Sequence, residues 1–342
     1  MENVLFFDST LRDGSHAIKH QLSTRNIINY CRGADGAGLH TIIVGHGNGL
    51  GASSLQVGLS AISDSEMLSA ARKTLKHTKL GVFLIPGFGT IKDDIKPALD
   101  IGVDLVCVGA HCTEADVTRQ HLEYSRRKGK DAYGILMMYH MTTPDRLLQE
   151  AIKMQEYGAM GVILMDSAGA STPKMVRDSI SILVNNLDIH VGFHAHNNLG
   201  LAVSNSLIAI EEGATIIDGT VRGFGAGAGN CPIEVLVGLL SKLGYKTGMN
   251  LYQLMDLSED VVTKFMKQPQ VISSASLISG IAGVFSAFAP HVLKAAVRFN
   301  LDPRDIFVEL GKRKVVGGQE DIIVDVAVEL ASKKAQDQVL SF

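Results

Sequence analysis

The 342-residue sequence contains no tryptophan, only eight prolines, and an aromatic content of 6%. No apolar run reaches the ~20 residues that a membrane-crossing helix needs. The four cysteines are scattered without a CxxC pair, which is typical of free thiols in a reducing compartment. A net charge of −3 provides no basic surface for nucleic acid, and no run of like charge indicates a charged tail. These absences argue against membrane and nucleic-acid partners.

The remaining composition is that of an ordinary folded protein, with 46% hydrophobic and 20% charged residues. The first twenty residues contain Asp8, Arg12, Asp13 and Lys19, so we expect neither a signal peptide nor a transit peptide. We therefore expect a cytoplasmic protein. The length predicts one large domain and a smaller one.

Short β-branched or apolar runs alternate with helical stretches eight times. Because most runs are continuously apolar, they indicate parallel strands buried on both faces. We predict strands at Val4–Phe7, Thr41–Val44, Lys79–Ile85, Leu105–Val108, Ala132–Met138, Gly161–Met165, His190–His194 and Thr215–Asp218. Helical spacing between them predicts helices such as Glu66–Thr78, Thr113–Lys128, Pro144–Tyr157, Pro173–Asn186 and Leu199–Glu212.

Eight βα units in roughly 240 residues predict an α/β fold of the (β/α)8 TIM-barrel type. A doubly wound sheet is the alternative, but the first strand is not followed by the G-x-G-x-x-G fingerprint of that fold. After about residue 262 the strand signals stop. We predict a catalytic barrel over residues 1–262 and a helical C-terminal domain over residues 263–342, with helices at Lys264–Met266, Ile281–Phe288, His291–Phe299, Asp302–Leu310 and Glu320–Leu330.

Function in such barrels lies at the C-terminal ends of the strands. His194-Ala-His196 ends the seventh strand, and residues two apart on a strand face the same side, so both imidazoles could bind one cation. Two histidines lining a polar barrel mouth are an equally good reading of this pattern alone. Asp13, after the first strand, would complete a set of two histidines and one aspartate that suits a six-coordinate ion such as Mn²⁺ or Mg²⁺; zinc and iron remain open from ligand type.

Arg12 and His16 flank that aspartate. Arg12 would stabilise an oxyanion or enolate, with a plain salt bridge to Asp8 or Asp13 as the alternative. His16 is a natural general base because its ordinary pKa is ~6.5. His20 is expected at the surface or behind the site. Ser167 would hydrogen-bond a substrate carboxylate or hold a loop.

A glycine-rich run, residues 223–230, follows the eighth strand, where barrels often hold anions with backbone N–H groups. Repeated glycine also makes a tight corner, so the run alone is weak evidence for a ligand. Asn230 at its end could reach the metal.

Several segments resemble the 4-hydroxy-2-oxovalerate aldolases, and the likeness covers nearly the whole chain. The segments are TLRDGSHAIKHQ (10–21), AHCTEAD (110–116), MDSAGA (165–170), FHAHNNLGLAVSNSLIAIEEGA (193–214), GAGAGNCPIEV (225–235) and VVGGQEDIIVDVAVEL (315–330). The RDG…HxH frame is also similar to the wider superfamily of isopropylmalate synthases and 3-hydroxy-3-methylglutaryl-CoA lyase.

The resemblance implies a class II pyruvate aldolase that cleaves 4-hydroxy-2-oxopentanoate to pyruvate and acetaldehyde through a metal-bound pyruvate enolate. It implies metal binding by Asp13, His194 and His196, with Mn²⁺ as the usual ion and Mg²⁺ or Co²⁺ as alternatives. Arg12 would stabilise the enolate, His16 would take the proton of the 4-hydroxyl group, and Ser167 falls on a substrate-binding position.

The resemblance also implies partners and a biological setting. An acylating acetaldehyde dehydrogenase would receive the aldehyde through a channel that the C-terminal helices help to form. Members serve aromatic hydrocarbon catabolism, and an oligomeric assembly is expected.

The sequence departs from the family pattern at two places. The pattern GYAGVYSSF corresponds to Gly280–Phe288, where Phe285 replaces a tyrosine that contacts substrate, and HAHHN corresponds to HAHNN with Asn197. Carbon–carbon cleavage is still expected, whereas the aldehyde and the stereochemistry are not carried over. A Claisen-type acyl-CoA lyase or synthase on the same metal frame is the alternative function, and a non-catalytic, partner-binding barrel is a third.

Overall fold

The computed structural model describes residues 4–340, whose first part forms a closed barrel of eight parallel strands in sequence order. The last strand pairs with the first, so Phe7 lies beside Asp218. The strands are β1 (Leu5–Asp8), β2 (Thr41–Ile43), β3 (Lys79–Leu84), β4 (Leu105–His111), β5 (Asp131–Met137), β6 (Gly161–Asp166), β7 (His190–Ala195) and β8 (Ile216–Gly219). The predicted TIM barrel is confirmed, and all eight strands fall within a few residues of their predicted positions.

Helices follow the strands and form the outer layer, and further helices make the C-terminal region. They are α1 (Gly14–Ala17), α2 (Thr24–Ala37), α3 (Asp64–Thr74), α4 (Lys96–Ile101), α5 (Arg119–Arg127), α6 (Pro144–Glu156), α7 (Pro173–Asn186), α8 (Ala202–Glu211), α9 (Ile233–Lys242), α10 (Leu251–Asp256), α11 (Thr263–Phe265), α12 (Ser274–Ala282), α13 (Ala289–Phe299), α14 (Pro303–Lys312) and α15 (Ile322–Leu340).

Local sequence explains where the main barrel helices begin. Ser63 accepts a hydrogen bond from the N–H of Glu66, and the Glu66 side chain accepts one from Ser63 in return, which forms a capping box for α3. Thr143 and Thr172 cap α6 and α7, each with proline at the first helical position. These residues satisfy N–H groups that the helix itself leaves unpaired.

Two apolar cores hold the molecule together. One lies between the barrel wall and the outer helices. The other fills the barrel interior and continues into the C-terminal helices, from Ile43 and Phe83 through Met165 to Phe288 and Phe307. The C-terminal helices therefore pack against the barrel, and their loops help to cover its mouth.

The predicted helix over Ile281–Phe288 does not form as one element, because its first two residues end an α-helix and its last three, Ser286–Phe288, form a separate 3-10 turn. The helix in this region is α12, which ends where Gly283 adopts a left-handed conformation at φ 67°. Glycine is the residue that takes this conformation without a steric cost, and it commonly ends a helix. The chain then turns, so that Phe285 lies in a loop facing the barrel. Across residues 4–340, no helix combines the length and the apolar character needed to span a bilayer.

Asp8, at the end of β1, is a buried carboxyl group on which the first βα turn depends. It accepts hydrogen bonds from the Thr10 N–H at 3.0 Å and from the Tyr30 hydroxyl at 2.5 Å. Burial raises the pKa of Asp8 from 3.8 to about 7, although these hydrogen bonds oppose the shift. The fold thus favours the neutral carboxyl.

The raised pKa of Asp8 predicts a pH-dependent cost to stability. The neutral carboxyl group of Asp8 makes its full contribution to the free energy of unfolding below its ordinary pKa. This contribution is lost as pH rises through about 7. As pH rises from about 5 to about 8, wild type should therefore lose about 1–3 kcal/mol of unfolding free energy relative to Asp8→Asn, which has no carboxyl group to ionise. Denaturant unfolding at several pH values measures this loss. The exposed Asp93→Asn is the control, and an equal response of both variants would contradict the prediction.

Candidate active site

The turn after β1 places Arg12, Asp13 and His16 at the barrel mouth. The carbonyl of Ser9 accepts the N–H groups of Arg12 at 3.0 Å and Asp13 at 2.7 Å, which tightens the chain immediately after the strand. The short helix α1 then carries His16. The tight turn brings three chemically different side chains into one pocket.

Asp13 is buried and receives polar contacts from both ends of the barrel sequence. Its Oδ1 lies 3.0 Å from Nη1 of Arg12. Its Oδ2 accepts hydrogen bonds from the Asn230 side chain at 2.6 Å and from the Ala226 N–H at 3.1 Å. Burial alone would raise the pKa of Asp13, but the charges of His196 and Arg12 hold it well below its ordinary value. Asp13 is therefore an anion.

His194 and His196 lie at the end of β7, and the structure brings both beside Asp13. Ligand atoms of the three side chains all lie within 4.8 Å of one another, and all three residues are buried. Nδ1 of His196 lies 3.0 Å from the Asp166 carbonyl, which leaves Nε2 free at 3.6 Å from Oδ2 of Asp13. Nδ1 of His194 lies 3.0 Å from Oδ2 of Asp218.

The three residues fit a divalent ion. Within the described chain, both ring nitrogens of His194 and Oδ1 of Asn230 are buried and have no hydrogen-bond partner. A buried polar atom without a partner is costly, and a cation held by the three residues would give His194 one. A contact between each ligating histidine and an oxygen atom, here from Asp166 and Asp218, is the usual arrangement around such ions.

Gly225 has no side chain, which leaves room for the side chains of Asp13 and Asn230. A Cβ atom at this position would lie 1.9 Å from Nδ2 of Asn230 and 2.4 Å from Oδ2 of Asp13. The glycine-rich run after β8 therefore serves close approach of backbone to the candidate metal ligand. The donors that it brings include the N–H of Ala226.

Arg12 and His16 form the rest of the polar wall. Nη1 of Arg12 bonds to Asp13 and to the Gly47 carbonyl, and its guanidinium lies 4.9 Å from the centre of the Phe83 ring. The alternative of a salt bridge to Asp13 is present, and Arg12 also lines the pocket, while its action on an enolate stays a prediction. Removal from water lowers the pKa of His16 to about 4, so its imidazole is neutral at pH 7 and able to accept a proton.

Comparisons with known proteins identify the relatives of this chain. Residues 3–261 match the HMGL-like family, and residues 270–332 match the DmpG-like communication domain. The 4-hydroxy-2-oxovalerate aldolase of Pectobacterium atrosepticum is 52% identical over 97% of this chain and 97% of its own length. That of Spirochaeta aurantia is 52% identical over 96% and 97%.

The chain belongs to the 4-hydroxy-2-oxovalerate aldolase family. The predicted family and the class of carbon–carbon lyase are confirmed, in preference to the acyl-CoA alternative. The HMG-CoA lyase of Brucella melitensis has the same fold, with a TM-score of 0.67 and 18% identity over 78% of this chain and all of that one.

Phe285 lies where this aldolase chain departs from the family pattern. Its ring contributes to the wall of the catalytic pocket and also to a second, outer cavity of about 170 Å³. The outer cavity lies between the loops after β3 and β4 and the segment 316–318 of the C-terminal region. This position is consistent with the expectation that residue 285 corresponds to a tyrosine that contacts substrate in the family.

Ser167 is not among the residues that line the pocket. It is fully buried, and its hydroxyl accepts a hydrogen bond from the Met138 N–H at 3.1 Å while its carbonyl accepts one from the Ser286 N–H at 2.9 Å. These contacts favour the loop-holding alternative. The substrate contact of Ser167 stays a prediction.

Sequence reasoning missed the residues around the β2 loop that support the site. His20 is almost fully buried, which agrees with the expected position behind the site rather than at the surface, but its stacking on the His46 ring, with centroids 3.7 Å apart, was not predicted. Asn48 lines the catalytic pocket. A search of the strand ends extended four residues past the predicted strand Thr41–Val44 would have reached Asn48.

Gly225→Ala should weaken metal binding because the new methyl group collides with Asp13 and Asn230. We expect a loss of about 10–100-fold in Mn²⁺ affinity, the range found when groups supporting metal ligands are altered. Calorimetric titration of the metal-free protein measures it. Gly36→Ala, where a Cβ meets nothing within 4 Å, is the control. Wild-type affinity in Gly225→Ala would contradict this account of the glycine.

Proposed function

We propose that this chain cleaves 4-hydroxy-2-oxo acids, such as 4-hydroxy-2-oxopentanoate, to pyruvate and an aldehyde in a reaction that requires a divalent ion. The observation that carries the proposal is the buried cluster of Asp13, His194 and His196 beside Arg12 and His16. Family membership supports the same reaction.

The metal ligands would be Asp13, His194 and His196, with Mn²⁺ as the ion and Mg²⁺ or Co²⁺ as alternatives. When bound there, the ion would supply a Lewis acid beside the 2-oxo acid. The oxygen of the Asn230 amide, buried and unpaired within the described chain, is a candidate further ligand.

Arg12 would stabilise the negative charge of the pyruvate enolate. Its guanidinium is held by Asp13, by the Gly47 carbonyl and by the Ser9 hydroxyl at 3.3 Å, so it is already in place before substrate enters. A donor that needs no rearrangement stabilises developing charge more effectively than one that must move. Its charge is retained at any physiological pH.

His16 would accept the proton of the C4 hydroxyl group as the C3–C4 bond breaks. Its neutral form at pH 7 follows from the low pKa, and it lines the same pocket as Arg12 and Asp13. In the return direction the imidazolium would give the proton back to the aldehyde oxygen. The apolar wall of Phe83, Met165 and Phe285 would keep bulk water away from the enolate.

Residues 263–342 would connect the aldolase to a second enzyme, an acylating acetaldehyde dehydrogenase that receives the aldehyde. The match to a communication domain supports this role. Exposed apolar side chains on three of the C-terminal helices, which would be covered in a complex, support it too; they are Ile281, Leu293, Val297, Val324 and Val328.

The proposed reaction is tested by assaying pyruvate release from a panel of 4-hydroxy-2-oxo acids with added Mn²⁺. A parallel assay supplies acetyl-CoA with a 2-oxo acid. We expect turnover in the first assay and none in the second. Turnover in the second assay alone would contradict the proposal in favour of a Claisen-type reaction.

His16→Ala should abolish cleavage while leaving metal binding intact, because the imidazole transfers a proton and lies outside the metal ligands. We expect kcat to fall by about 10²–10⁴-fold, with unchanged Mn²⁺ affinity in a calorimetric titration. The exposed His77→Ala is the matched control. Cleavage by His16→Ala at the wild-type rate would exclude the general-base role.

Phe285→Tyr should restore a hydroxyl at the junction of the two cavities. We expect this variant to change the preference between the two 4-hydroxy enantiomers or to raise kcat/KM. Assays with each enantiomer separately measure both quantities. An unchanged preference together with an unchanged rate would show that residue 285 has no such influence in this chain.

A further inference from the structure

Asn48 has a buried side chain without a function in the mechanism described so far. The residue follows β2 by five positions and is only 6% exposed. Within residues 4–340, its one hydrogen bond runs from its backbone N–H to Nδ1 of His46 at 3.0 Å. The side-chain amide makes no hydrogen bond to this part of the protein, so its polar atoms are available to a ligand in the pocket that it lines.

The turn that carries Asn48 is held rigidly from behind. The Gly47 N–H lies 3.4 Å from Nδ1 of His20, and the Gly47 carbonyl accepts a hydrogen bond from Arg12 at 3.2 Å. Nε2 of His46, whose ring stacks on His20, lies 3.0 Å from the Gly58 carbonyl. The backbone at Asn48 is thus anchored to the same arginine that serves the pyruvyl half of the substrate.

Asn48 is also the one unassigned polar side chain of the catalytic pocket. In the described chain that pocket is lined by five polar side chains, and four of them already have roles: Arg12, Asp13, His16 and His196. The remaining wall is apolar or glycine. Negative charge develops on two oxygen atoms during the reaction: on the C4 oxygen as its proton passes to His16, and on the enolate oxygen as the C3–C4 bond breaks. For the C4 oxygen, His16 is the only group assigned so far.

The position of Asn48 matches that second oxygen. Asn48, Ile85, Met137 and Phe285 line both the catalytic pocket and the outer cavity, so they form the neck between the two. A substrate with its carboxylate and 2-oxo group beside Arg12 and Asp13 would extend its C4 end towards this neck. Its C4 oxygen would then come within reach of the Asn48 amide.

We propose that Nδ2 of Asn48 donates a hydrogen bond to the C4 oxygen of the 4-hydroxy-2-oxo acid and to the aldehyde oxygen that it becomes. The inference rests on the proposed aldol cleavage. In that step the C3–C4 bond breaks, its electron pair forms the enolate of the pyruvyl half, and the hydroxyl proton passes to His16 as the C4=O bond forms. Asn48 exchanges no proton. Its amide stabilises the negative charge that develops on the C4 oxygen.

Two reactions separate this role from an effect on the enolate. Cleavage of the 4-hydroxy-2-oxo acid involves the C4 oxygen. Exchange of the methyl hydrogens of pyruvate with deuterium from solvent, followed by NMR without aldehyde, forms the enolate but involves no C4 oxygen. A residue that serves only the C4 oxygen should affect the first reaction and largely spare the second.

Asn48→Asp, which has the same shape but lacks the donor, and Asn48→Ala are the test variants. We expect kcat/KM for cleavage to fall by about 100-fold in both, while pyruvate exchange falls by less than about threefold. Mn²⁺ affinity and melting temperature report whether the variants fold. Asn185→Asp, the same substitution at an exposed site, is the control and should retain both reactions.

Equal losses in cleavage and exchange would overturn the proposal, as would wild-type cleavage by either variant. A wild-type protein that catalyses neither reaction would refute the proposed aldolase function and this inference with it. A wild-type protein that catalyses both, with Asn48 variants that match it, would refute the inference alone.

Discussion

The negative charge of Asp13, buried at the barrel mouth, is the constraint on which the rest of the site depends. A carboxylate removed from water is stable only if charges and hydrogen-bond donors replace the lost hydration. Arg12 provides the charge from the neighbouring position, and Ala226 and Asn230 provide donors from more than 200 residues away. The same carboxylate joins His196 in the candidate metal set, so binding of an ion would complete the compensation.

Barrel closure makes these distant contacts possible. Because β8 pairs with β1, the glycine-rich loop after β8 meets the turn after β1, and β7 brings its two histidines to the same edge. Gly225 is required there because a side chain would occupy the position of the Asp13 and Asn230 groups. The C-terminal helices then cover the mouth and place Phe285 opposite the β2 loop, which defines the neck where Asn48 lies.

Much of this arrangement could be predicted from the sequence. Continuous apolar runs identified the strands because both faces of each strand are buried, and strand ends then indicated Asp13, His194 and His196. The Ile281–Phe288 helix was misplaced because an apolar run has the same spacing whether or not Gly283 ends it. The buried position of Asn48 follows from a loop folded back on α1, and no periodic pattern encodes that packing. The hydrogen bonds of Ser167 likewise depend on loops that meet only in the fold.

The most direct test of the central claim is metal dependence of pyruvate release measured on the metal-stripped protein. The stripped protein should release no pyruvate from 4-hydroxy-2-oxopentanoate, and Mn²⁺ should restore turnover in proportion to occupancy of one site per chain. Asp13→Asn should bind the ion weakly and stay inactive at the same concentration. Full turnover by the stripped protein in the presence of a chelator would contradict the account.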